Sequence, residues 1–131
     1  MIAVLLATAM LPADESAGRR SSLIGDWAYV DPHRDASLPV EPCETDNGVR
    51  YERGGRFSTF MGDVRGRWRV RGRSLWERVT QEEDDATGRV TAVRAGETRS
   101  VVRWLSPDHV NIVVAPGEVQ GLVRCPAASR R

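Results

Sequence analysis

Apolar and polar positions alternate along most of this chain, and turn residues break the alternation roughly every ten positions, the rhythm of short antiparallel strands. Residues 64–70 (VRGRWRV) put Val64, Gly66, Trp68 and Val70 on one face and Arg65, Arg67 and Arg69 on the other. The spacing predicts strands over residues 23–30, 49–52, 56–61, 64–70, 74–80, 89–94, 98–105, 110–115 and 119–125. Arg53-Gly54-Gly55, Gly62-Asp63, Arg71-Gly72-Arg73, Pro107-Asp108 and Pro116-Gly117 stand between them as turns, and Asn47-Gly48 reads as another. No stretch after residue 22 carries a 3.6-residue apolar period, which excludes amphipathic helices there. The expected fold is therefore all-β: an up-and-down antiparallel barrel of about eight strands, whose closure removes the two exposed edges an open sheet would leave.

Parity assigns faces. Val110, Ile112 and Val114 share one side of their strand, with Asn111 and Val113 on the other. Across the turn at Arg71-Gly72-Arg73, Leu75 and Val79 fall inside, and the same parity puts Glu77 between them. A carboxylate on an interior face must be paired or take up a proton. Arg103 is one candidate partner. A β-bulge in the same strand would instead flip the parity, leaving Glu77 in solvent and Trp76 inside.

The front of the chain differs from the rest. Ile2 to Leu11 is an apolar run of signal-peptide length, too short to span a bilayer, followed by Pro12, with Ala7, Ala9 and Ala13 as small-residue cleavage options. No basic residue precedes the run. Residues 1–18 are read as a signal peptide and flexible lead-in, and residues 19–131 as one barrel domain. No later segment approaches the length of a membrane span. Cys43 and Cys125 are the only cysteines, and in an exported chain an even pair reads as a disulfide, placing the mature protein in the periplasm or outside the cell.

Composition narrows the function classes. The 131 residues carry 28% charged side chains at a net charge of +1. That balance argues against coating nucleic acid or an anionic membrane through bulk charge. Every basic residue is an arginine. Two histidines and no cysteine cluster give no support to a metal site, and no nucleophile or phosphate loop stands in a recognisable setting. His33 with Asp31 and Asp35, and His109 beside Asp108, are turn-region pairs. No cofactor, no metal and no enzymatic activity are expected.

Gly25-Asp26-Trp27 in the first strand, the hairpin from Gly66 to Leu75 and Arg124 in the last strand together resemble the lipocalin-like small barrels of exported bacterial proteins. The resemblance implies that Trp27 packs across the closed end and that Arg124 lies over its ring. It also implies a monomer that holds a small apolar or amphipathic molecule in the barrel, with Trp68, Glu77, Arg103 and Trp104 as candidate ligand contacts. The chain is shorter than true lipocalins, with tight turns where they carry lid loops. A second expectation is therefore a filled barrel that binds another exported protein, such as a hydrolase, through the proline-rich loop of residues 31–48. The ladder Arg65, Arg67 and Arg69 is a candidate strip for an acidic partner, or else a solvated outer face.

Overall fold

The structure is a computed structural model that describes residues 22–34, 43, 47–84 and 86–126. The expected signal segment lies outside the described residues. Nine strands follow in order: β1 (Gly25–Val30), β2 (Gly48–Tyr51), β3 (Arg56–Thr59), β4 (Val64–Arg71), β5 (Ser74–Glu83), β6 (Val90–Ala92), β7 (Thr98–Ser106), β8 (His109–Ala115) and β9 (Glu118–Arg124). All pairings are antiparallel. β9 returns to β1, and β4 pairs β5, so eight strands close a barrel in the cyclic order β1-β2-β3-β4-β5-β7-β8-β9. β6 stands outside that cycle. β5 is long enough to pair β7 through Ser74–Glu77 and β6 through Gln81–Glu83. Residues 81–83, which lie between the expected strands 74–80 and 89–94, thus extend β5.

The core follows the alternation. Trp27, Val49, Tyr51, Phe57, Leu75, Val102, Val110, Ile112 and Leu122 are buried inside the barrel, with Tyr29, Val64, Trp68, Val79 and Trp104 packed against them. Each fully buried aliphatic side chain here is worth about 1.5–3 kcal/mol over exposure. The aromatics meet edge to face: Trp27 with Trp104 at 6.0 Å between ring centres, and Tyr51 with Trp68 at 5.1 Å.

Two glycines mark where backbone and ring approach too closely for a Cβ. Gly48, read from sequence as part of a turn, instead opens β2. A Cβ there would lie 2.2 Å from the Phe60 ring and 2.5 Å from the Trp27 carbonyl oxygen. Gly66 sits at the register shift between β4 and β5, where a Cβ would lie 2.1 Å from the Arg78 carbonyl oxygen.

Cys43 and Cys125 form a disulfide across 82 positions, fastening the long loop after β1 to the end of β9. The bond fits an oxidising compartment.

Candidate functional site

One end of the barrel is built from the start of β1, the turns at residues 52–55, 72–73 and 107–108, and the end of β9. Residues 22–24 cross this end. The Trp27 indole N–H donates to the Leu23 carbonyl at 2.8 Å, and the Arg124 guanidinium lies 4.3 Å above the Trp27 ring centre. Arg124 also donates to the carbonyls of Ile24 (3.0 Å), Ser22 (2.9 Å) and Pro107 (3.2 Å), and to the Asp108 carboxylate (3.0 Å). A planar fork suits this task, since four acceptors and a ring are met by one side chain. Trp27 and Arg124 thus cap one half of this end.

The other half is open. A pocket of about 350 Å³ lies between residues 22–24 and the turns of β2–β3 and β4–β5. Its floor and walls are Trp68, Trp104, Val102, Leu23 and Val70, and Arg53 and Arg69 stand at its rim. Parity explains the lining: Trp68 and Val70 on β4, and Val102 and Trp104 on β7, all point inward at the ends of their strands. The Trp68 indole N–H donates to the Glu52 carbonyl at 3.0 Å, which tips the ring toward this mouth.

Glu77 faces inward. It stands opposite Trp68 on β4, with Leu75 and Val79 on its own face. One carboxylate oxygen accepts the Tyr51 hydroxyl at 2.9 Å. Burial raises its pKa above the ordinary 4.5, and the Tyr51 hydrogen bond opposes that in part. The same charge reaches two tyrosines. Tyr51 is pushed well above 10, first by burial and then by Glu77; Tyr29 is pushed up to about 12 by burial, Glu77 and Asp63. Glu77 lies deeper than the mouth pocket and does not line it. The bulge that would have flipped it exists but falls later in the strand, where Val79 pairs Gly66 and Gln81 pairs Arg65, leaving Thr80 as the extra residue.

Arg103 is a correction. It lies between inward Val102 and Trp104, so strand alternation sends it out, and it is exposed, opposite Asn111. It does not meet Glu77.

On the outer wall, the ladder Arg65, Arg67 and Arg69 is divided in role. Arg65 donates to the Gly62 carbonyl, and Arg69 pairs Glu97 at 3.1 Å and stands 4.9 Å from the Trp76 ring centre, with Arg99 at 5.6 Å from the same ring. Arg67 has no acidic partner among the described residues. Trp76 is thus an outer-wall residue, held between arginines.

The histidines form no catalytic arrangement with the described residues. The His33 backbone N–H donates to Asp31 in a local turn; Asp35 lies outside the described residues. His109 is buried on the outward side of β8, facing Val123, and burial, with the Arg34 charge, lowers its pKa. Among the described residues no three His, Cys, Asp or Glu side chains converge as a metal site.

The mouth pocket was legible only in part. Trp68, Val70 and Trp104 follow from alternation, whereas Leu23 and Arg53 join them through the way residues 22–24 cross the barrel end, for which no local pattern exists. Searches of protein-family models, curated proteins and solved structures find no match to this chain. The closed antiparallel architecture is compatible with a lipocalin-like barrel.

Proposed function

We propose that this chain is a non-enzymatic periplasmic or secreted binding module, lipocalin-like in design, that holds a small amphipathic molecule at the open half of the barrel end. The observation that carries the reading is the 350 Å³ apolar pocket walled by the inward faces of Trp68 and Trp104. That volume is at the lower end of small-molecule sites, which combine apolar walls with few polar groups. Arg53 at the rim supplies the polar group: it is exposed and forms no ion pair with a described residue, so an anionic head group would find a free guanidinium there. The disulfide supports an exported location.

Octanoate is the probe that tests this, followed by intrinsic tryptophan fluorescence and native mass spectrometry. Val70 is 42% exposed at the pocket rim, so Val70→Trp fills the pocket without entering the core. Octanoate should bind the native chain, and Val70→Trp should weaken it at least tenfold at an unchanged melting temperature. Arg53→Glu should weaken octanoate but not octanol. Octanoate bound equally by the Val70→Trp variant, or not bound at all, would refute the pocket as the site.

A further inference from the structure

The outer wall formed by β3, β4 and β5 carries an arrangement that folding alone does not explain. Arg56 on β3 stands directly opposite Arg67 on β4, and Arg67 directly opposite Arg78 on β5. All three are exposed, and none forms an ion pair with a described residue. Like charges directly opposed across a sheet are destabilising, and three in one row repeat that cost twice. The next row on the same wall holds Arg69 and Arg99 against Trp76. Positive charge is thus concentrated on β3, β4, β5 and β7 of a chain whose overall charge is only +1.

Beside the row the wall is concave. A groove of about 940 Å³ runs over β2, β3, β4 and β5, lined by Arg50, Arg56, Arg65 and Arg67 with Ser58, Thr80 and Gln81 between them, and by Asp26, Glu52 and Cys43, so that arginines outnumber carboxylates by four to two. Arg50 is neutralised by Asp26 at 2.7 Å; Arg56, Arg65 and Arg67 are not neutralised by a described residue.

We infer that the arginine row and the groove beside it bind a carboxylated polysaccharide strand laid across β3, β4 and β5, with Arg56 and Arg67 on the groove lining and Arg78, next in the row, each meeting a carboxylate. Strand spacing sets the row's pitch at about 4.8 Å, comparable to the length of one sugar ring, so successive uronates meet successive arginines. Guanidinium forks match carboxylates in bidentate geometry. The hydroxyls of Ser58 and Thr80 and the Gln81 amide offer partners for sugar hydroxyls. The groove disfavours other polyanions. Single-stranded nucleic acid needs free aromatic platforms, whereas Phe57 is in the core and Phe60 packs on Gly48. An acidic peptide cannot add as a strand, because β3, β4 and β5 are each paired on both sides within the closed wall.

The test uses polygalacturonate as the probe, with uncharged dextran, single-stranded DNA and phosphatidylglycerol vesicles for comparison, at low ionic strength. Polygalacturonate should bind, dextran should not, and affinity should fall as salt rises. Arg67→Gln combined with Arg78→Gln should weaken polygalacturonate at least tenfold. The melting temperature of that variant should stay the same or rise, because the opposed charges are relieved. Absence of polygalacturonate binding, equal binding by the double variant, or tighter binding of DNA or vesicles would overturn the inference.

Discussion

Glu77 shows how one residue sets a pH response. Its folded pKa lies above the ordinary 4.5, so the folded state holds the proton more tightly than the unfolded chain. Stability linked to this group is therefore full below pH 4.5 and is lost as pH rises through the folded pKa, the reverse of a salt-bridged carboxylate. Glu77→Gln keeps an acceptor for the Tyr51 hydroxyl and removes the titration. Urea denaturation should find the variant at least as stable as the native chain at pH 8, with the difference shrinking toward pH 4. A constant difference across that range would mean that Glu77 titrates alike in the folded barrel and the unfolded chain, so that burial does not raise its pKa. His109 acts with the opposite sign: its lowered pKa means that stability falls as pH drops below 6.5 and the buried ring is forced to charge. Arg124 is the other residue whose replacement is informative. Lysine keeps the charge but cannot meet Ser22, Ile24, Pro107 and Asp108 together while covering Trp27. Arg124→Lys should cost about 2 kcal/mol in thermal or urea unfolding, given the usual worth of hydrogen bonds to a charged group. The Asp108 pair itself adds little, since Asp108 is 66% exposed.

At the scale of elements, the β4–β5 hairpin concentrates what alternation alone leaves open. Its inward face, Trp68 with Leu75, Glu77 and Val79, is readable from sequence because the turn at Gly72 sets the register. The extra residue at Thr80 is not readable, because a bulge changes pairing rather than composition. It matters here because its position after Glu77 keeps that carboxylate inside. Gly66 is what permits the bulge: the Arg78 carbonyl occupies the space of a Cβ. Gly66→Ala must displace backbone rather than a flexible side chain, so a loss of about 3 kcal/mol or more is expected by urea denaturation. A small change would show that the two strands separate easily at the bulge. Arg103, by contrast, was readable from alternation. The residue type suggested a partner for Glu77, but its neighbours Val102 and Trp104 already fix its face outward. The arginine row Arg56, Arg67 and Arg78 was hidden, since the ladder visible in sequence runs along one strand and the row runs across three.

For the whole molecule, the barrel closes through contacts between its two ends in sequence. β1 pairs β9, Arg124 reaches back to Ser22 and Ile24, and Cys125 bonds Cys43. Such contacts span nearly the full chain, so their closure is entropically expensive in an unfolded polypeptide, and a crosslink over 82 positions removes part of that cost beforehand. The chain-entropy account assigns such a loop about 4 kcal/mol. For a domain of this size that corresponds to a fall on the order of 15 °C in melting temperature when the bond is absent. Cys43→Ser with Cys125→Ser should show that fall by circular dichroism, and dithiothreitol should lower the native chain to the same value without affecting the variant. A further loss in the variant on adding dithiothreitol would point to another effect of the reagent. Because neither Cys43 nor Cys125 lines the mouth pocket, octanoate affinity below the melting transition should be unchanged. Loss of both together would mean that the disulfide shapes the mouth as well as holding the barrel shut.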